Sequence, residues 1–374
     1  RVSGRGEGER GCCRCVEAGK RGDEARCKGN SESFMSETTN GSSRASEELT
    51  REYKPRDESD EAFAPFRRTD DLDGKLDIPW VVLMMPLIVA RFTCALLCVC
   101  MCFLTFLIFG PRLGSDTSDF AKLPAWRQDI VMKSGKFLSS CVLLCVGFYH
   151  VKVIKAPGYD EKKAQKCALV GNHVSMVDIL LMMSIFMPSF VAKASVAKIP
   201  LIGRIATAMQ CLFVDRLSKK RGNATQRVNQ RQMSLAKGAD MPPVLLFPEG
   251  TTTNGEYLLS FKTGVFVAGL PVQPVVIRYP FSRFSPAYES IRSIPYVLML
   301  LSQFQNSVEC ELHPIYEPSE EEKRDADVYG RNMRLHLAKL GGLKVSESTF
   351  IDKLEYHSIK RKQPLPLKSK SKIQ

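Results

Sequence analysis

The chain has 374 residues, 44% of them hydrophobic, with 53 Lys and Arg against 40 Asp and Glu and a net charge of +13. That length supports one large core or two small ones, and the hydrophobic fraction excludes a wholly disordered chain. A basic surplus on a core-forming chain points to an anionic partner: nucleic acid, a membrane surface or a phosphorylated substrate.

The first seventy residues hold 14 Lys and Arg against 15 Asp and Glu, so the surplus lies after them. They are rich in Gly, Ser, Glu and Arg and poor in aliphatic runs. Residues 1–77 are therefore expected to be disordered. The chain opens on Arg1, and Met35 followed by Ser36 is the expected natural start. Cys12, Cys13, Cys15 and Cys27 have no His-rich partner at metal-ligand spacing, so no metal is expected there. Cys94, Cys98, Cys100 and Cys102 lie in an apolar run, where a thiol behaves as a small hydrophobe, and nothing indicates an oxidising compartment.

Residues 78–150 are expected to associate with a membrane. Residues 92–109 carry no charge, and 18 residues of helix rise roughly 27 Å, near the hydrocarbon thickness of about 30 Å. Extending the run back to Leu83 takes in Arg91, which would snorkel to the headgroups or mark a break after Pro86. A second apolar run at 137–148 is too short to span alone and suits an interfacial or re-entrant helix, which leaves one or two spans open. Trp126 and Tyr149 flank it as headgroup-level aromatics do. Arg67, Arg68 and Lys75 precede the first run and Arg112, Lys122 and Arg127 follow it, so positive charge does not fix the orientation.

Residues 151–345 have the texture of an α/β layer fold. Short strands are predicted at 167–170, 211–214, 243–247 and 272–279, with helical stretches at 177–190, 222–237 and 331–340. Residues 346–374 read as a basic tail.

Three places have chemical potential. In Gly171-Asn172-His173-Val174-Ser175-Met176-Val177-Asp178, a His precedes an Asp by five residues. On a regular helix five residues turn about 500° and set the two side chains about 140° apart. Contact therefore needs His173 at a strand-to-helix junction, before the helix is wound. A base at a strand end, oriented by a carboxylate, is the arrangement that deprotonates a hydroxyl. Phe247-Pro248-Glu249-Gly250-Thr251 makes a tight turn after a strand, which would bring Glu249 to a site mouth. Arg216, with Lys219, Lys220 and Arg221, follows another strand and suits phosphate.

Taken in order, NHVSMVD, CLFVDR, FPEGT and VQPVVIRY form a set that resembles the glycerolipid (lysophospholipid) acyltransferase family. The similarity covers roughly residues 164–279. The longer string from Phe247 to Pro280 is most similar to plant-type lysophosphatidylethanolamine acyltransferases and to lysophosphatidylcholine acyltransferases. The resemblance implies a membrane-anchored α/β domain with a central mixed sheet flanked by helices. It implies His173 as general base and Asp178 as its orienting partner. Arg216, Glu249, Gly250 and Thr251 would bind the acceptor glycerophosphate, and Pro274 would shape the acyl-donor site. Acyl-CoA would be a co-substrate, with no cofactor and no metal, and Ser175 would not be a nucleophile.

Two departures bear on the acceptor. Thr252 stands where family members acting on lysophosphatidic acid carry Arg, and the loss of a guanidinium favours a phosphodiester acceptor. Gln210 stands where a Gly often precedes the second block, which puts the acceptor's placement in doubt. Lys370 and Lys372 sit third and fifth from the end, as in retrieval signals of endoplasmic-reticulum membrane proteins. The expected partners are thus acyl-CoA, a lysophospholipid and a bilayer, with no nucleic acid; a lysophosphatidic acid enzyme is the alternative.

Overall fold

The structure, a computed structural model, describes residues 56–111, 120, 122–214 and 221–363. Met35, the four N-terminal cysteines, Arg112, Arg216 with Lys219 and Lys220, and Lys370 and Lys372 lie outside those residues.

A 3₁₀ turn at Glu61–Phe66, capped by Asp60, leads into α1 (Ile78–Leu83) and α2 (Met85–Phe109), which abut at Met84. Pro86 lies in the first turn of α2, where its missing N–H leaves no helical bond unmade. Then come α3 (Ala125–Cys145), β1 (Phe148–Lys155), α4 (Glu161–Ala164) and β2 (Ala168–Gly171). α5 (Asp178–Ile185), β3 (Ser189–Lys193), α6 (Ile202–Ala208), β4 (Leu212–Val214) and α7 (Arg221–Ala236) follow. The chain continues through β5 (Val244–Leu246), β6 (Tyr257–Leu258), β7 (Val272–Arg278), α8 (Ser293–Ser302) and β8 (Asn306–Leu312). It ends in α9 (Glu320–Arg324), α10 (Ala326–Gly341), β9 (Lys344–Val345) and α11 (Phe350–Arg361).

Seven strands form one mixed sheet in the order β1-β8-β7-β2-β5-β3-β4; β6 and β9 pair separately. Among the described strands of this sheet, β7 and β8 are the one antiparallel pair. Alternate residues of β2 and β7 face opposite layers, as a two-residue period requires. Leu169, Val275 and Ile277 join a core with α2, α3, α5 and α8, while Val170 and Val276 join a second core with α7 and α10. The predicted α/β layer fold is therefore present, with helices on both faces.

Among the described residues, α2 is the one helix long and apolar enough to cross a membrane. Val89, Phe92, Leu97, Met101, Leu104 and Ile108 leave it exposed and apolar. Arg91 neither snorkels nor breaks the helix. It is 6% exposed, and it donates to the carbonyls of Leu301 at 2.8 Å, Gln303, and Phe304 at 2.8 Å, and to the Tyr149 hydroxyl at 2.6 Å. These carbonyls close the C-terminal end of α8, where a helix favours a cation. At the far end, Arg204 of α6 donates to the Pro111 carbonyl at 2.7 Å. Both ends of α2 are thus fastened to the α/β body.

The second apolar run belongs to the 21-residue α3. Gly135 lets α3 close on α2, because a Cβ there would come within 3.1 Å of Phe106 and 2.3 Å of Met187.

Two expectations about the ends differ from the structure. Residues 56–77 and 346–361, read as disordered and as tail, are folded and pack together. Phe63 and Phe66 bury against Leu259 and Tyr356, with the Phe63 and Tyr356 rings 5.4 Å apart. The predicted helix at 177–190 also divides, because Met187 takes a positive φ of 54° before Pro188 and the chain re-enters as β3.

Candidate active site

β2 ends at Gly171 and α5 begins at Asp178, so residues 172–177 form the junction that the five-residue spacing requires. Asn172 fixes it to the neighbouring strand: its side chain donates to the Ile277 carbonyl at 2.9 Å and accepts from the Ile277 amide at 2.8 Å. Asp178 is fully buried at the helix start. Its Oδ2 accepts from the amides of Val174 and Ser175, at 2.8 and 2.9 Å, and from His173 Nδ1 at 2.8 Å. Its Oδ1 accepts the Tyr279 hydroxyl at 2.5 Å. Burial, with Asp178 beside it, pushes the Tyr279 phenol well above its ordinary value, so it stays a donor.

Four donors converge on this one carboxylate and fix it in place. A carboxylate can only accept, so Nδ1 of His173 carries the proton and Nε2 presents a lone pair. Among the described residues no hydrogen bond uses Nε2. The imidazole is 20% exposed and stacks on Phe247, with centroids 4.2 Å apart and planes 8° from parallel. Met176 and Ile179, on either side of Asp178 in sequence, are exposed.

The Phe247–Thr251 turn meets this junction from β5. Gly250 has φ +71°, the left-handed region that favours glycine, so the turn calls for it. Glu249 does not open at a site mouth. It is 3% exposed, and its two oxygens accept from the amides of His173 at 2.9 Å and Leu259 at 3.0 Å. Burial raises its pKa to about 8 against those two amides. Thr251 and Thr252 are likewise buried.

Ser175 is fully buried, its hydroxyl paired with Tyr296 at 2.8 Å and accepting from the Val177 amide at 3.1 Å. It is a structural hydroxyl. Pro274 is paired with Val170 inside the sheet. Gln210 is buried at a positive φ of 57° and accepts from Arg231 at 2.6 Å. Arg216 lies outside the described residues. Tyr279 closes the fourth sequence block, and its position at the end of a strand beside β2 is the signal that it belongs to the site.

An acyltransferase family model matches residues 154–278. The lysophospholipid acyltransferase LPEAT1 of Arabidopsis thaliana is 35% identical over 81% of this chain and 87% of its own. A lysophosphatidylcholine acyltransferase of Drosophila melanogaster is 31% identical over 77% of this chain, which spans 54% of that relative's length. Among solved structures, the 1-acyl-sn-glycerophosphate acyltransferase PlsC of Thermotoga maritima gives a TM-score of 0.39 at 20% identity, over 66% of this chain and 97% of that one. With the blocks at His173, Glu249 and Tyr279 joined in one buried constellation and a relative matched over most of both lengths, the chain belongs to the lysophospholipid acyltransferase family.

Proposed function

We propose that the chain transfers a fatty acyl group from acyl-CoA to the free sn-2 hydroxyl of a lysophospholipid, with ethanolamine or choline as headgroup. The observation that carries this reading is the His173–Asp178 contact at 2.8 Å, which engages Nδ1 and leaves Nε2 to act as the base. His173 takes the acceptor's hydroxyl proton. The oxygen attacks the thioester carbonyl, and the carbon–sulfur bond breaks as the tetrahedral adduct collapses. The imidazolium returns its proton to the departing CoA thiolate. Asp178 stabilises that imidazolium without itself taking the proton. The burial of Ser175 supports direct transfer without an acyl-enzyme.

Arg216, Gly250 and Thr251 are assigned to the acceptor glycerophosphate. Glu249 contributes by fixing the turn that carries Gly250 and Thr251. Pro274 acts on the acyl-donor side through the strand that carries it. Thr252 brings no guanidinium to a phosphate monoester, which supports a phosphodiester acceptor. The exposed apolar face of α2, with Trp126, Phe137 and Leu144 of α3, supports seating in a bilayer, here assigned to the endoplasmic reticulum. Lipid acceptors then reach the site without leaving the membrane.

Microsomes expressing the chain, given labelled oleoyl-CoA and lysophosphatidylethanolamine, lysophosphatidylcholine or lysophosphatidic acid, test the headgroup. The first two are expected to be acylated in preference. A clear preference for lysophosphatidic acid overturns the argument from Thr252.

A further inference from the structure

A buried ammonium lies behind the site, on a helix that the sequence offers as tail. Lys353 of α11 is 5% exposed. Its Nζ donates to the Thr252 carbonyl at 2.7 Å, to the Thr252 hydroxyl at 2.8 Å and to the Tyr288 carbonyl at 3.5 Å. The Thr252 hydroxyl in turn donates to the Tyr288 carbonyl. Two loops that share no strand are therefore joined through one side chain.

Those loops flank the catalytic main chain. The Thr253 amide donates to the His173 carbonyl at 2.9 Å, and the Tyr288 amide donates to the Val174 carbonyl at 2.8 Å. The His173 amide is held from a third direction by Glu249 at 2.9 Å. The outer sides of both loops are fastened by residues 56–77. Asn254 donates to the carbonyls of Ala64 and Arg67, at 2.9 and 3.0 Å. Arg68, buried between Asp70 and Glu289, donates to the Ser285 carbonyl at 2.8 Å. Burial draws the Lys353 pKa down to about 7, against the pull of Glu289 and Glu249. An amine placed at that desolvation cost needs all its donors satisfied, and two main-chain carbonyls and the Thr252 hydroxyl take them here.

We propose that Lys353 is a positioning residue of the acyl-transfer site: its ammonium locks the Thr252 and Tyr288 loops together and so holds the His173–Val174 main chain between them. The proposal rests on the reading of His173 as base. A displacement of the imidazole by about 1 Å is enough to lower turnover by about a hundredfold, while substrate pockets elsewhere keep their shape.

The test uses the full chain in microsomes, with oleoyl-CoA and lysophosphatidylethanolamine as substrates and folded protein quantified by a protease-resistant core. Lys353→Met keeps the stem and removes the donors. Its kcat is expected to fall by about 10–100-fold, with both KM values within about twofold of the parent. Thr252→Val keeps the shape and removes only the hydroxyl link, and a fall in kcat of about 3–10-fold is expected. Because both act on one clamp, the double variant is expected to turn over no more slowly than Lys353→Met alone. A parental kcat per folded molecule in Lys353→Met overturns the proposal. So do multiplicative losses in the double variant, or losses confined to KM. His173→Ala separates the two readings: if it is inactive while Lys353→Met is fully active, only the clamp fails; if it is active, the base assignment fails.

Discussion

Tyr279 donates its hydroxyl at 2.5 Å to the oxygen of Asp178 that His173 does not use. The phenol lies on the residue just after β7, and the carboxylate opens α5, so the contact ties that helix to the end of β7. It also completes the acceptor capacity of a carboxylate that would otherwise turn one oxygen into an apolar core.

Tyr279→Phe removes that donor, and with it the hydroxyl's contact with Ser175. A hydrogen bond to a charged group contributes about 1.5–3 kcal/mol. The variant is expected to lose about that much stability, and kcat is expected to fall roughly tenfold with KM unchanged. Thermal unfolding in detergent and initial rates in microsomes check both effects.

Glu249→Gln discriminates between binding and positioning. Gln keeps one acceptor but turns an NH₂ toward the amide of either His173 or Leu259. The main chain at His173 must shift. The expected result is a kcat loss of about 10–100-fold, with little change in the acceptor KM. A KM effect alone would return Glu249 to the substrate.

Arg91 gives a prediction whose sign decides. If its guanidinium met lipid, Arg91→Leu would favour insertion, since the two residues differ by about 3–4 kcal/mol at a helix centre. Capping α8 reverses the sign. The variant leaves three carbonyls and the Tyr149 hydroxyl without their donor, and a loss of about 2–3 kcal/mol is expected. Thermal unfolding of detergent-extracted protein measures it.

His357 of α11 faces the Glu289 carbonyl at 2.9 Å, and burial lowers its pKa from 6.5 to about 4. The unfolded chain therefore binds the proton more readily between those values. The contribution to stability is complete above pH 6.5 and is lost as pH falls through 4. His357→Gln, which keeps a donor for the carbonyl, is expected to flatten the unfolding curve over that window. An unchanged acid limb would exclude His357 as its source.

The His173–Asp178 contact was legible because its spacing has a geometric consequence: residues five apart meet only where a strand turns into a helix. Local chemistry also marked Gly250, whose positive φ follows from a tight turn after β5. The sequence is less informative where long-range packing decides. Arg91 looks like an interruption of an apolar run, since the carbonyls it caps lie some two hundred residues away. Lys353 sits among charges that read as a solvated tail, and only the fold shows it buried. The Ser189–Lys193 strand was hidden because the apolar run before it continues a helical pattern, although Pro188 marked the break. Residues 56–77 lack a periodic pattern, and what seats them is distant in sequence: Leu259 and Tyr356 under Phe63 and Phe66, Asn254 on the Ala64 and Arg67 carbonyls, and Glu289 on Arg68.

The most direct measurement is transfer of labelled oleate from oleoyl-CoA to lysophosphatidylethanolamine by microsomes expressing the parent chain or His173→Ala at matched levels. The account predicts labelled phosphatidylethanolamine from the parent and none above background from the variant. Equal labelling by the two would contradict it.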